Sequence, residues 1–286
     1  MSSSTSPNAS NAATATLMEQ VLYEVKRVVV GQDRFLERVM VAMLAQGHLL
    51  VEGVPGLAKT LTVKTLASTI QGSFKRIQFT PDLVPADLVG TRMYNQKTGE
   101  FSTTLGPVFT HLLLADEINR APAKVQSALL EVMQERQVTI AGETHKVPEP
   151  FLVMATQNPI EQEGTYPLPE AQMDRFALKV SVAYPDDEAE LAIIRLVRAE
   201  ERGNSQQGAH FAPLSPELIL QARAELSAMT ISPLVEHYII ALVMATRHPD
   251  RYPDADLAQW LAVGASPRAS IALDKCARAY AWLQGR

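Results

Sequence analysis

Two patterns of apolar residues alternate over the first two thirds of the chain. Short apolar runs at 48–51, 112–115 and 151–155 are typical of buried strands in a parallel sheet. Apolar residues that recur every three or four positions, such as Val125 and Leu129, predict helices that each bury one face. Toward the C-terminus only the helical spacing continues. The pattern therefore predicts an α/β core followed by a smaller, all-helical part.

The same pattern divides the chain into four parts. Residues 1–17 are mostly Ser, Thr, Asn and Ala and carry no charged side chain, which predicts a disordered N-terminal tail. Residues 18–184 would form the α/β core, and residues 185–213 a connecting helix and a polar linker. Residues 214–286 would form the helical part.

Composition and charge narrow the class of protein. The 286 residues are 47% hydrophobic, enough for a sizeable core, and carry a net charge of −5, which gives no positive field to attract nucleic acid. No apolar run approaches the roughly 20 residues that a membrane-spanning helix needs. The single cysteine, Cys276, excludes an intrachain disulfide and a cysteine-based zinc site, and its helical spacing favours buried packing. We therefore expect a protein without a membrane span in a reducing compartment, the cytoplasm.

The segment after the first apolar run has the residues of a phosphate-binding loop. From Gly53 to Thr60 it reads Gly-Val-Pro-Gly-Leu-Ala-Lys-Thr, between a predicted strand and a predicted helix. Such a loop binds a polyanion because backbone N–H groups and a helix N-terminus converge on the phosphates. Lys59 would contact the β- and γ-phosphates, and Thr60 would bind Mg²⁺. The alternative is a Gly/Pro turn that leads into a surface helix. The predicted nucleotide contacts are Gly53, Val54, Pro55, Gly56, Leu57, Ala58, Lys59, Thr60 and Leu61.

Two carboxylates follow the second apolar run. A central parallel strand that ends in Asp116 and Glu117 would present both side chains at the carboxyl edge of the sheet. There Asp116 could reach the water shell of Mg²⁺, and Glu117 could take the proton from an attacking water. The alternative is a helix N-cap, where acidic side chains interact favourably with the helix dipole.

Two further segments predict β-hairpins. Residues 90–109 have a Lys97-Thr98-Gly99-Glu100 turn between extended stretches, and residues 137–147 turn at Ala141-Gly142. The first hairpin could be an ordinary surface feature or a loop that contacts a pore or a client. The strand at 151–155 ends in Thr156-Gln157-Asn158-Pro159, which places an amide at its tip.

Four segments together resemble the MoxR family of AAA+ ATPases. They are the loop at 53–60, Asp-Glu-Ile-Asn-Arg-Ala-Pro at 116–122, Ala-Thr-Gln-Asn-Pro at 155–159, and Gly-Thr-Tyr-Pro-Leu-Pro-Glu-Ala-Gln-Met-Asp-Arg-Phe at 164–176. The resemblance implies a P-loop NTPase fold, a three-layer αβα core with a parallel sheet in strand order 5-1-4-3-2 and a small all-helical AAA+ lid domain. It also implies a ring, expected to be a hexamer, with ATP and Mg²⁺ bound between subunits. Family members usually continue past this C-terminus, so a truncated lid is expected.

The resemblance assigns three more residues. Asn158 resembles the sensor 1 residue, Arg175 the arginine finger that a subunit presents to its neighbour's ATP, and Arg268 the sensor 2 residue that contacts the γ-phosphate from the lid. Arg268 follows Ser266, the predicted N-cap of the last helix. The alternatives are a salt bridge from Arg175 to Glu170 or Asp174 and a surface carboxylate partner for Arg268. The family usually has alanine at Ala58, where other phosphate loops have glycine.

The function implied by the resemblance is ATP hydrolysis coupled to protein remodelling. Family members suggest chaperone-like maturation of clients, such as metal-cofactor insertion, with a partner that bears a von Willebrand factor A (VWA) domain. One alternative is a nucleotide-gated scaffold with little turnover, which would not need Glu117 as a base. A nucleic-acid motor among the wider group of AAA+ ATPases is a further alternative, against which the sequence pI of about 5.7 argues.

Overall fold

The computed structural model describes residues 7–53, 59–97, 99–158, 164–202, 213–253 and 256–286. Its strands are β1 (Leu49–Glu52), β2 (Phe74–Gln78), β3 (Gly90–Asn95), β4 (Glu100–Leu105), β5 (Leu112–Asp116), β6 (Gln137–Ile140), β7 (Glu143–Lys146), β8 (Leu152–Gln157) and β9 (Leu178–Ser181). Its helices are α1 (Pro7–Val28), α2 (Asp33–Leu44), α3 (Lys59–Thr69), α4 (Pro85–Val89), α5 (Ala123–Glu135), α6 (Glu170–Met173), α7 (Asp187–Glu201), α8 (Glu217–Ala228), α9 (Pro233–Arg247), α10 (Leu257–Trp260) and α11 (Pro267–Leu283).

Five parallel strands form the central sheet in the order β2-β5-β8-β1-β9. With the five strands numbered along the chain, this is the predicted order 5-1-4-3-2, which is confirmed. Strands β1, β5 and β8 lie inside the sheet and are covered on both faces, which explains why their sequences are continuous apolar runs.

Helices cover both faces of the sheet, so the predicted three layers are confirmed. One face packs against α1, α2, α3, α8 and α11, and the other packs mainly against α5. Alternate residues of the three inner strands contribute to the two layers. The first face carries Leu49, Val51, Leu112, Leu114, Leu152 and Met154. The second carries Leu50, Leu113, Ala115, Val153 and Ala155.

The predicted tail at residues 1–17 is wrong from Pro7 onward, because α1 begins there and runs to Val28. Apolar periodicity marks only the later turns of this helix. Its earlier part is held by polar contacts with α8: Thr14 Oγ1 donates to Glu225 Oε1 at 2.8 Å and accepts from Gln221 Nε2 at 3.0 Å. Contacts between residues so distant in sequence leave no local pattern.

The helical lid is joined to the core by buried contacts. Arg223 of α8 donates from Nε and Nη2 to the carbonyl of Met43 at the end of α2, at 3.1 and 2.7 Å. Cys276 of α11 is buried in the same apolar cluster as α2, as predicted, and burial raises the pKa of its thiol to about 11. Because one cluster crosses from core to lid, the boundaries at 184 and 213 stay predictions.

Two lid helices begin at Ser-Pro pairs, and the predicted N-cap Ser266 is one of them. Ser232 caps α9, and Ser266 caps α11 by accepting from the N–H of Arg268 at 3.0 Å. Among the described helices, none is long and apolar enough to cross a bilayer alone. Helices α8 and α9 reach that length and composition only as a pair, which is bent by 100° at the break.

Both predicted hairpins are present as separate two-stranded sheets, β3–β4 and β6–β7. The β3–β4 hairpin exposes an aromatic pair, Tyr94 and Phe101, whose ring centroids are 5.0 Å apart. Arg92 places its guanidinium 5.0 Å from the Phe101 ring. These exposed side chains do not contribute to the core.

His48 connects three elements at the amino edge of the sheet. It immediately precedes β1, its Nδ1 accepts from the N–H of Val153 in β8 at 3.0 Å, and its Nε2 lies 3.1 Å from the carbonyl of Met133 in α5. Burial is the main cause that lowers its pKa from 6.5 to about 4. The imidazole is therefore neutral near neutral pH.

We predict that this depressed pKa makes stability fall with acidification. Between about pH 6.5 and about pH 4 the unfolded chain binds a proton at His48 that the folded chain excludes, so the free energy of unfolding should drop by up to about 3 kcal/mol. His48→Asn should lower stability near pH 7 but flatten this part of the pH dependence. Urea unfolding over that range measures the slope, with exposed His237→Asn as the control. A His48→Asn slope equal to that of the unmodified protein would contradict the assignment.

Candidate functional site

The strands that carry the predicted chemistry end at the same edge of the sheet. Gly53 follows β1, Asp116 ends β5, and Asn158 follows β8, which lies between the other two strands. The N–H of Gly53 donates to the carbonyl of Gln157 at 3.4 Å, which ties the start of the loop to the end of β8. Three of the predicted site segments therefore meet, because parallel strands share one carboxyl edge.

The described part of the phosphate loop orients its lysine toward the loop. Lys59 opens α3, and its Nζ donates to the carbonyl of Gly53 at 2.7 Å. Burial lowers the pKa of Lys59, while the charges of Asp116 and Glu117 act in the opposite direction. Thr60 and Leu61 follow in the first turn of α3. The predicted contacts Val54, Pro55, Gly56, Leu57 and Ala58 lie outside the described residues.

Thr156 of β8 connects the two carboxylate residues. Its buried hydroxyl donates to Asp116 Oδ1 at 2.5 Å and accepts from the N–H of Glu117 at 2.9 Å. Glu117 has the left-handed conformation, φ 56° and ψ 50°, which costs a non-glycine residue about 1 to 2 kcal/mol. The Thr156 hydroxyl thus supports a strained backbone that turns Glu117 out of the strand.

Glu117 is held by two polar neighbours. Its Oε2 accepts from Gln78 Nε2 at 2.7 Å and lies 3.0 Å from Arg120 Nε. Gln78 ends β2 and is paired in register with Asp116. The carboxylate of the predicted base is therefore oriented from two sides, as a group that acts on a water must be.

Asp116 also forms an ion pair with β2. Its Oδ2 accepts from Arg76 Nη2 at 2.6 Å and from Arg76 Nε at 3.2 Å. The same Nη2 donates to Gln78 Oε1 at 3.1 Å. Hydrogen bonds therefore connect Asp116 to Glu117 through two side chains of the neighbouring strand.

The residues at this edge fit a magnesium nucleotide. Thr60 and Asp116 offer the hydroxyl and carboxylate oxygens that Mg²⁺ prefers. Over the described ranges, no group of three or more His, Cys, Asp or Glu side chains could hold a metal. A metal here would take its remaining ligands from phosphate and water, which is how Mg²⁺ binds in phosphoryl-transfer sites. The first turn of α3 contains no acidic residue that would repel a polyanion.

Arg175 and Arg268 lie at the opposite, amino edge of the sheet. Arg175 comes shortly before β9, which starts in register with the beginning of β1. Arg268 Nη2 lies 3.3 Å from Gln134 Oε1 near the C-terminal end of α5, and its Nε lies 4.0 Å from Asp174 Oδ2. Strand β1 separates this edge from the phosphate loop by about 13 Å, at about 3.3 Å for each residue. The expectation that Arg268 reaches a γ-phosphate is therefore not met within its own subunit.

Of the two ion pairs considered as alternatives, the one for Arg268 is present and the one for Arg175 is not found among the described residues. Within the described part of the chain, Arg175 forms no ion pair with Glu170 or Asp174; its Nη1 donates to the carbonyl of Leu130 at 3.1 Å, and its buried Nε has no hydrogen-bond partner. Arg268 has Asp174 as a carboxylate neighbour, which agrees with the alternative prediction of a carboxylate partner. Both arginines line a cavity of about 350 Å³ between core and lid. Its other charged or ionisable side chains include Arg136, Asp174, His48 and Lys275.

Sequence reasoning did not assign Arg76, Gln78, Thr156 or Arg120 to the site. The polar residues Arg76 and Gln78 alternate on β2, which a solvent-facing strand also shows. Only the pairing of β2 with β5 distinguishes the two interpretations. The threonine in Ala-Thr-Gln-Asn-Pro was visible, but its role depends on the order of the strands.

The chain is similar to known ATPases in sequence and in structure. Residues 48–178 match the ATPase family associated with various cellular activities (AAA), and residues 255–286 match the AAA lid domain. The chain is 51% identical over 275 residues to Chaperone MoxR1 of Mycobacterium tuberculosis, covering 96% of this chain and 71% of the relative. It is 31% identical over 274 residues to Protein MoxR of Methylorubrum extorquens, covering 92% and 79%. A crystal structure of a candidate ATPase from Cytophaga hutchinsonii matches with a TM-score of 0.87 and 49% identity, over 96% of this chain and 82% of that one.

We predict that the Thr156 hydroxyl stabilises the fold of the protein without bound nucleotide. Thr156→Val keeps the shape but leaves Asp116 Oδ1 and the N–H of Glu117 each without this partner, which should cost about 1 to 3 kcal/mol in the free energy of unfolding. Thr156→Ser keeps the hydroxyl and should cost less. Chemical denaturation of both variants measures the difference. Equal stability of the valine and serine variants would contradict the role of the hydroxyl.

Proposed function

Since the chain belongs to the MoxR family of AAA+ ATPases, we propose that it hydrolyses ATP at the carboxyl edge of its sheet and uses the cycle to remodel client proteins. The observation that carries this proposal is the convergence of Lys59, Asp116 and Glu117 at that edge. Phosphoryl transfer to water requires little beyond neutralised charge and a positioned water, and these side chains supply both.

Each residue has a distinct task in the proposed reaction. Lys59 would neutralise the outer phosphates, and Thr60 and Asp116 would hold a magnesium ion, which would reduce the charge of the phosphates. Glu117 accepts the proton of the attacking water. Asn158, at the tip of β8, orients that water or the γ-phosphate. Gln78 and Arg120 hold the carboxylate of Glu117, and Thr156 holds the carboxylate of Asp116. Each carboxylate therefore keeps a separate position and a separate task.

A complete site would need two subunits. Arg175 and Arg268 lie together at the amino edge, so we infer that both serve the nucleotide of an adjoining copy. A head-to-tail contact brings the amino edge of one subunit to the carboxyl edge of the next, and such contacts close into rings. Among the described residues, the Nε of Arg175 has no hydrogen-bond partner and cations outnumber carboxylates around the cavity, which supports an anionic occupant. A hexamer is the ring size that the family favours.

The proposed work of the ring is chaperone-like. One relative carries the name of a chaperone, and the β3–β4 hairpin offers exposed aromatic side chains suited to a protein client. Maturation of a client, including metal-cofactor insertion with a VWA-domain partner, and a cytoplasmic location belong to the same proposal. Its rival is a nucleotide-gated scaffold, which the orientation of Glu117 disfavours because a binder without turnover needs no base.

We predict that Glu117→Gln separates binding from turnover. The variant should retain ATP binding, so that ATP at 100 times its Kd raises the free energy of unfolding by about 2.7 kcal/mol, as in the unmodified protein. Its kcat should fall about 10²-fold or more, because the base is lost. Phosphate release and thermal unfolding with Mg-ATP measure the two properties, with Glu131→Gln on the exposed side of α5 as the control. Undiminished hydrolysis would remove Glu117 as the base and favour another candidate.

We also predict that two inactive variants restore activity when they are mixed. Glu117→Gln subunits keep both arginines, and Arg175→Ala subunits keep the base. Random neighbours in a one-to-one ring would complete about a quarter of the sites. The same recovery is expected for Arg268→Ala mixed with Glu117→Gln. Phosphate release after co-assembly measures the recovery. If the Arg268→Ala mixture recovers no activity, Arg268 acts within its own subunit and not on the neighbouring one.

A further inference from the structure

Arg76 occupies the carboxylate that the proposed metal site requires. Of the two oxygens of Asp116, Oδ1 is taken by Thr156, and Oδ2 receives two hydrogen bonds from the Arg76 guanidinium, at 2.6 and 3.2 Å. Hydrogen bonds between a guanidinium and a carboxylate are charge-assisted and therefore stronger than neutral ones. Asp116 thus has both oxygens engaged by protein donors.

This ion pair is not needed to build the sheet. Arg76 lies on β2, one of the two edge strands of the sheet, and about half of its side chain is exposed to solvent. It reaches forward along the strand, since its partner in register is Leu114 and not Asp116. An arginine at this position could extend into water at little cost, so its contact with Asp116 reflects the charge of the carboxylate.

The cations around Asp116 and Glu117 show what the contact between Arg76 and Asp116 does. Arg76 pairs with Asp116, Arg120 pairs with Glu117, and the charges of both carboxylates act on Lys59. Lys59 is bound to the carbonyl of Gly53, and Arg120 faces Glu117. Among the described residues, Arg76 is therefore the cation that is hydrogen-bonded to Asp116, at the position that a divalent ion would otherwise take.

From this geometry we propose that Arg76 is a stand-in cation that competes with Mg²⁺ for Asp116. The inference rests on the proposed function, because it needs Asp116 to serve the metal. Arg76 keeps the carboxylate in place without metal and opposes the divalent charge when metal arrives. The same guanidinium attracts a nucleotide that comes without metal. Arg76 thereby lowers the dependence of nucleotide binding on Mg²⁺.

Removal of the guanidinium should raise that dependence. The quantity to measure is the Kd of a fluorescent ATP analogue in EDTA divided by its Kd in Mg²⁺, since a merely structural loss would weaken both affinities and leave their ratio unchanged. A unit charge and a divalent charge about 6 Å apart repel enough, in a solvent-exposed setting, to change this ratio about two- to tenfold. Arg76→Gln should therefore increase the ratio by that factor at low salt and by less at high salt.

Two further variants isolate the cause. Arg76→Met keeps the length of the side chain without charge and should behave like Arg76→Gln, so it serves if the glutamine variant does not fold. Lys75→Gln removes one exposed cation from the adjacent position of the same strand and should leave the ratio unchanged. Binding of Mn²⁺ to the ADP-saturated protein, followed by electron paramagnetic resonance, should tighten in the Arg76 variants alone.

The outcomes separate this inference from the proposed function. An unchanged ratio in both Arg76 variants, with clear metal dependence in the unmodified protein, would overturn the competition and leave the nucleotide site intact. An equal increase in Lys75→Gln would also overturn it, because the effect would then be one of overall charge. No metal dependence in the unmodified protein would overturn both the inference and the metal site on which it rests.

Discussion

The position of β8 between β1 and β5 is the constraint on which the site depends. This pairing brings Thr156 beside Asp116 and Glu117, and it ties Gly53 to the carbonyl of Gln157. The hydroxyl of Thr156 then supports a left-handed Glu117, a conformation that would be unfavourable without such support. Burial of β8 on both faces fixes its register, so the polar groups at its end have little freedom to separate.

The two edges of the sheet have different roles that follow from strand direction. The carboxyl edge carries Gly53, Lys59, the two carboxylates and the tip of β8, while the amino edge carries His48, Arg175 and the lid residue Arg268. The chain thus has the predicted nucleotide-binding residues at one edge of the sheet and a set of cations at the other. In the proposed ring, a head-to-tail contact would join the two halves. The buried contact between Arg223 and α2 keeps the lid, and with it Arg268, at the amino edge.

Much of the core could be predicted from the sequence, because buried strands appear as apolar runs and the residues that follow them are adjacent in sequence. The apolar runs located β1, β5 and β8, and Asp116 and Glu117 stood directly after one of them. Strand order came from the family resemblance and not from any pattern of residues. Only the first part of the N-terminal helix was missed, because Thr14 is held by α8, more than 200 residues away in sequence. Arg76 and Gln78 were missed because an edge strand with alternating polar residues looks the same whether it faces water or a carboxylate. The position of Arg268 depends on how the lid docks, which residue spacing does not encode.

The central claim is that Lys59, Asp116 and Glu117 surround one magnesium-bound triphosphate whose remaining contacts come from an adjoining copy. A cryo-electron microscopy map of the full chain with Mg²⁺ and a non-hydrolysable ATP analogue would test it most directly. The map should show the γ-phosphate beside Lys59, with Arg175 and Arg268 of a neighbouring subunit approaching it. A nucleotide bound away from Lys59, or a filled site whose cations all come from one subunit, would contradict it.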